Sequence, residues 1–131
     1  MAIKILLAED DIQLVDMYNR KFALEGFDVK VAEDGQKAID TLKSGFVPDV
    51  AILDIMMPLV SGLEVLKYIH EQKELSDVIV IMLTNLSDEK TAEKIYELGA
   101  TEYLVKAEFT PLEVAQKVKD LIAYYKDKKK K

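Results

Sequence analysis

Apolar positions along the chain switch repeatedly between the period of a strand and that of a helix. Ile3 to Ala8 (IKILLA) is a short run of strand formers, and Ile12, Leu14, Val15, Tyr18 and Phe22 then recur at helical spacing until Gly26. Asp28 to Ala32 (DVKVA) alternates, Asp34-Gly35 is a turn signal, and Ala38, Ile39 and Leu42 mark a short helix closed by Gly45. Pro48 and Asp49 restart the chain, and Val50 to Leu53 is a near-continuous apolar run, as expected for a strand buried on both faces. After a loop from Ile55 to Ser61, Leu63, Leu66, Tyr68 and Ile69 predict a helix, and Val78 to Leu83 (VIVIML) predicts a central strand. Ser87 is the expected N-cap of a fourth helix, with Asp88 and Glu89 in its first turn and Gly99 closing it. Glu102 to Lys106 (EYLVK) reads as a fifth strand. Thr110 to Glu113 (TPLE) combines an N-cap, a proline at the first helical position and a capping-box glutamate, and an apolar stripe follows from Leu112 to Tyr125.

Five strands alternating with five helices over short connections imply βαβ units, a parallel sheet and helices on both faces. In such sheets the carboxyl ends of the strands share one edge, where ligands bind. The chain has 131 residues, half of them hydrophobic, which suits one compact domain. It has no cysteine, so disulfide frameworks and thiolate chemistry are excluded. Its opening segment is too short and too soon acidic for a signal peptide, and no stretch reaches membrane-spanning length, so a soluble cytoplasmic protein is expected. The net charge of -6 argues against general nucleic-acid binding, although five of the last six residues (KDKKKK) are lysine. His70, the only histidine, falls on a helix away from the predicted edge and reads as a surface residue.

The strand ends gather Glu9, Asp10 and Asp11 after the first, Glu33 and Asp34 after the second, Asp54 at the third, Thr84 at the fourth and Lys106 at the fifth. Adjacent strands lie about 4.8 Å apart, so acids at neighbouring ends come within reach and raise each other's pKa unless a cation intervenes. An all-oxygen cluster without histidine or cysteine favours a hard ion, Mg²⁺, which keeps positions open for phosphate oxygens. Phosphoryl transfer needs a positioned nucleophile and positive charge around the moving group. Asp54 fits the first need, Mg²⁺ and Lys106 the second, and the Thr84 hydroxyl can hydrogen-bond a phosphoryl oxygen.

In the order and spacing of ILLAEDD, DVAILDIMMPLVSGLEVL, VIMLTN and LGATEYLVK with TPLEV, the chain resembles the receiver domain of two-component response regulators, chemotaxis-regulator-like and single-domain. The resemblance implies a doubly wound, flavodoxin-like three-layer α/β sandwich with a five-stranded parallel sheet of order 2-1-3-4-5. It implies a receiver domain over residues 1–125 with a Lys-rich tail at 126–131, a phosphoacceptor switch rather than a conventional enzyme. Asp54 would accept its phosphoryl group from the phosphohistidine of a sensor kinase or phosphotransfer protein, with Mg²⁺. Asp10 would ligate the metal directly, Glu9 through water, and Met56 through its backbone carbonyl, alongside Asp54. Lys106 corresponds to the phosphate-pairing lysine, Thr84 to the switch hydroxyl, and Tyr103 to the aromatic whose rotamer follows that hydroxyl. Pro58 and Gly62 correspond to the loop beyond the acceptor. Output is expected at the face of the fourth helix, fifth strand and fifth helix, toward a downstream protein and without direct DNA or membrane binding. The expected state is a monomer or a phosphorylation-dependent dimer.

Two departures from the family pattern lie close to the chemistry. Ala107 stands where a proline usually follows the lysine, often in a cis bond. A cis bond to a non-proline residue costs about 3 kcal/mol, so either a trans bond with a rearranged loop or a strained cis bond is expected. Asn85 stands where a small residue usually follows the threonine, and it can narrow the pocket or hydrogen-bond into it. Met56 and Leu86 occupy positions that tune hydrolysis in the family, and neither side chain can orient water, so slow self-dephosphorylation is expected. The competing readings are a phosphatase of the aspartyl-phosphate type, in which a second acid would stand at Met56, and a pseudo-receiver that only binds partners.

Overall fold

Ten elements alternate along the computed structural model, which describes residues 2–85 and 89–129. They are β1 (Lys4–Ala8), α1 (Ile12–Leu24), β2 (Asp28–Ala32), α2 (Gly35–Lys43), β3 (Val50–Leu53), α3 (Gly62–Glu71), β4 (Ile79–Thr84), α4 (Glu89–Glu97), β5 (Glu102–Val105) and α5 (Pro111–Lys129). The expected cap at Ser87 with Asp88, the position of Leu86 and the last two lysines lie outside the described residues. The strands form one parallel sheet in the order β2-β1-β3-β4-β5, the doubly wound order that the family resemblance implies.

Strand pleating sorts the core into two layers. Ile5 and Leu7 of β1, Ile52 of β3 and Ile81 of β4 pack under Tyr18 and Phe22 of α1 and Val114 and Val118 of α5. Their neighbours Leu6, Leu53 and Met82 face the other way, onto Leu42 of α2, Val65 and Ile69 of α3 and Ile95 of α4. Every residue of β3 and β4 is buried, which explains why both read as continuous apolar runs rather than alternations.

Local chemistry sets the helix starts. Asp11 accepts from the N–H groups of Gln13 and Leu14 at the head of α1, and Asp34 accepts from Lys37 N–H at the head of α2. The TPLE box closes reciprocally before α5: Thr110 N–H donates to Glu113 Oε1 at 2.9 Å and Glu113 N–H to Thr110 Oγ1 at 3.1 Å. Strand bounds differ from expectation at β1, which starts at Lys4 rather than Ile3, at β4, which runs Ile79–Thr84 rather than Val78 to Leu83, and at β5. A 3-10 turn at Lys73–Leu75 precedes β4 and buries Leu75 in the core. At the other end, β5 stops at Val105 and Lys106 opens a 3-10 turn, Lys106–Glu108. No cis peptide bond occurs among the described residues, so the bond from Lys106 to Ala107 is trans and lies within that turn.

Candidate functional site

Sheet register brings the acids together. Ala8 pairs with Leu53, so the residues that follow, Glu9 and Asp54, leave the sheet side by side. Each is held by the neighbouring strand: Asp54 N–H donates to the Ala8 carbonyl and Glu9 N–H to the Ala32 carbonyl, both at 3.0 Å. Thr84 pairs with Val105, which delivers Lys106 to the same level one residue later. A cavity of about 300 Å³ opens there, lined by Glu9, Asp10, Asp11, Asp54, Met56, Thr84, Asn85 and Lys106. Six sequence-predicted site residues therefore share one cavity. Tyr103, the seventh, is not among its lining; it lies half-buried on β5, packed against the core layer that contains Met82 and Ile95.

The cavity is a charge cluster under partial burial. Glu9 is 2% exposed and Asp54 6%, while Asp10 is open to solvent. Lys106 Nζ lies 2.5 Å from Glu9 Oε1 and 3.1 Å from Asp54 Oδ2, bridging the two buried acids. The remaining oxygens meet backbone donors: Asp11 N–H reaches Glu9 Oε2 at 3.2 Å and Met56 N–H reaches Asp54 Oδ1 at 3.3 Å. Burial pushes the Glu9 carboxyl up to about 7; the Asp54 charge adds to that rise, and Lys106 and Asp11 N–H oppose it. For Lys106 the largest effect, burial, pulls its pKa down. The hydrogen bond to Glu9 and the charges of Asp54 and Glu9 together outweigh it and hold the ammonium above its ordinary value.

One carboxylate oxygen from each of Glu9, Asp10 and Asp54 lies within 4.8 Å of the others, a spacing that a single hard cation can bridge. Three acids face one ammonium here, so the cluster is short of positive charge. Met56 contributes backbone rather than side chain, which is 68% exposed at the mouth. The loop after Asp54 is shaped by Leu59, which adopts a left-handed φ of 67°, and by Gly62. A Cβ on Gly62 would fall 2.0 Å from the Asp54 carbonyl oxygen, and Gly62 N–H donates to the Ile55 carbonyl at 2.9 Å. The first turn of α3 thus presses directly on the backbone that carries Asp54.

Residues 5–119 match the response regulator receiver domain family. The chain belongs to that family. It is 35% identical over 119 residues to the transcriptional regulatory protein CpxR homolog of Haemophilus influenzae, covering 91% of this chain and 50% of that protein. It spans about half the length of the curated relatives it matches. Among solved structures it is similar to the chemotaxis response regulator CheY4 of Vibrio cholerae, with a TM-score of 0.83 and 28% identity over 93% of this chain and 99% of that chain. The receiver domain of Francisella response regulator 1452 gives a TM-score of 0.84 and 30% identity, covering 94% of this chain and 98% of that one.

Sequence reasoning about this receiver domain missed the cap at Ser61 and the contact that Gly62 makes. Ser61 caps α3, its Oγ 3.4 Å from Glu64 N–H; the S-x-x-E spacing of Ser61 and Glu64 carried that signal. The intimacy of Gly62 with Asp54 had no local signal, because the contact exists only once α3 has docked. Among the described residues no helix is long and apolar enough to cross a membrane.

Proposed function

We propose that this receiver domain is a phosphoacceptor switch that takes a phosphoryl group onto Asp54 from the phosphohistidine of a sensor kinase or phosphotransfer protein. The single observation that carries the reading is the placement of Asp54: a carboxylate on a rigid strand end, opening into an acidic cavity with Lys106 3.1 Å away. An Asp54 oxygen forms a bond to phosphorus as the phosphorus–nitrogen bond of the donor breaks, and the electron pair stays on the departing imidazole nitrogen. Lys106 neutralises charge on the phosphoryl oxygens, and the buried Thr84 hydroxyl at the end of β4 hydrogen-bonds one of them. The oxygen-only donors of Glu9, Asp10 and Asp54, short of positive charge, fit Mg²⁺; as the family resemblance implies, Asp10 and Asp54 would hold it directly, Glu9 through water and Met56 through its backbone carbonyl. Bound there, Mg²⁺ supplies charge stabilisation to the phosphoryl oxygens.

Phosphorylation then shifts an equilibrium between two arrangements of the face formed by α4, β5 and α5, where a downstream protein docks. Thr84 and Tyr103 flank that face, from the site and from β5. Mass spectrometry after treatment with a small phosphodonor plus Mg²⁺ tests the reading. Wild type is expected to gain one phosphoryl group and Asp54→Asn none; an adduct unchanged in the variant, or no Mg²⁺-dependent adduct at all, refutes it.

A further inference from the structure

We propose that Tyr96 and Glu102, with Lys117, form a latch that clamps α4, β5 and α5 in the arrangement of the unphosphorylated domain and thereby holds down the affinity of Asp54 for a phosphoryl group. This inference rests on the reading of Asp54 as the phosphoacceptor. β5 is an outer strand of the sheet, so one side of its backbone has no strand neighbour. α4 fills part of that gap. Tyr103 N–H on β5 donates to Tyr96 Oη at 3.1 Å and approaches Glu102 Oε1 at 3.3 Å. The Tyr96 hydroxyl donates in turn to Glu102 Oε1 at 3.1 Å, and Glu102 Oε2 faces Lys117 Nζ of α5 at 3.5 Å. One phenol and one carboxylate thus join three elements. Partial burial, followed by the charge and hydrogen bond of Glu102, raises the Tyr96 pKa and keeps the hydroxyl a donor.

The geometry gives this latch a purchase on the site. Among the described side chains of α4 only Ile95 is buried, and the Tyr96 hydroxyl adds a polar contact to β5 near the last turn of the helix. The opposite end of α4 follows Thr84 and Asn85, which line the acidic cavity. A Thr84 hydroxyl drawn to a phosphoryl oxygen pulls on that end, and the latch near the last turn resists. Glu102 and Tyr103 also begin the strand that ends beside Lys106, so the latch sets where β5 delivers its ammonium. Tyr96 and Glu102 are positioning residues in this scheme, because they act through Thr84 and Lys106. A contact made in one state lowers the affinity of any ligand that favours the other, and its removal raises that affinity by the same factor.

Isothermal titration of each purified chain with beryllofluoride in saturating Mg²⁺ tests this, with beryllofluoride standing in for the phosphoryl group. Tyr96→Phe is expected to bind about fivefold tighter than wild type, the scale of one net hydrogen bond. Glu102→Gln, which keeps the shape but loses the charge, should shift the same way and guards against a folding defect in the first variant. A merely structural fastening would leave affinity unchanged or weaken it. Unchanged or weaker binding in both variants, beside a wild type that binds and an Asp54→Asn control that does not, overturns the latch alone. Absence of binding in wild type overturns the phosphoacceptor reading and the latch with it.

Discussion

Met56 shows how a residue can be placed by its backbone and free in its side chain. Its N–H is spent on Asp54 Oδ1, while the thioether, mostly exposed at the cavity mouth, has no group that can align water for attack on an acyl phosphate. Met56→Asn introduces an amide at that mouth and is expected to accelerate loss of the phosphoryl group by about tenfold, the effect of one well-aimed hydrogen bond. Decay of the phosphorylated protein, followed by mass after removal of the donor, measures it; equal lifetimes would show that the position does not govern hydrolysis here. The gathering of these side chains into one candidate site was legible in the sequence because strand ends convert order along the chain into proximity. Glu9, Asp10, Asp54, Thr84 and Lys106 each end or follow an apolar run, and the parallel sheet makes those ends coplanar. Tyr96 was not legible. Its hydroxyl matters through the packing of α4 against β5, and no periodicity in the sequence carries that.

Elements meet the site through close backbone approaches rather than through long side chains. Gly62 begins α3 against the Asp54 carbonyl, with no room for a methyl group, and Gly35 begins α2 in the same way, where a Cβ would fall 1.9 Å from the Val60 carbonyl oxygen. The two helices therefore pin both ends of the loop from Ile55 to Ser61. Gly62→Ala forces α3 or the end of β3 to move and is expected to destabilise the fold by about 2 kcal/mol, as overpacking of a tight contact does. The same displacement shifts Asp54 relative to Lys106, so phosphoryl uptake should slow more than the stability loss alone predicts. Denaturant unfolding and the rate of adduct formation separate the two effects; a stability loss with an unchanged rate would mean that α3 moves and Asp54 does not. Element identity was legible here, but element boundaries followed tertiary contacts. Lys106 reads as a strand residue in EYLVK, yet β5 stops at Val105 and Lys106 opens a 3-10 turn. That turn still carries the lysine to Glu9 and Asp54.

At the scale of the molecule, stability is unevenly spread, and the uneven part adjoins the site. β1, β3 and β4 form a centre buried on both faces, gripped by α1 and α5 on one side and α2 and α3 on the other. α1 and α5 are tied further by Lys119 to Glu25 at 2.9 Å. α4, at one edge of the sheet, has one buried residue among its described side chains, Ile95, beside the Tyr96 contacts, and follows Thr84 and Asn85 of the cavity wall along the chain. Regions with few buried apolar contacts open with the least free energy, and switching elements are drawn from them. The backbone amides of α4 should therefore exchange with deuterium faster than those of α1, α3 and α5 in the unphosphorylated protein. Binding of beryllofluoride and Mg²⁺ should alter exchange in α4, β5 and the turn from Lys106 to Glu108, and leave α1 and α2 nearly unchanged beyond the residues that touch the ligand. Hydrogen exchange read by mass spectrometry on peptides covering these elements decides the matter. A response spread evenly over all five helices would mean that the domain tightens as a whole, and the signal would then have no preferred exit through the α4, β5 and α5 face.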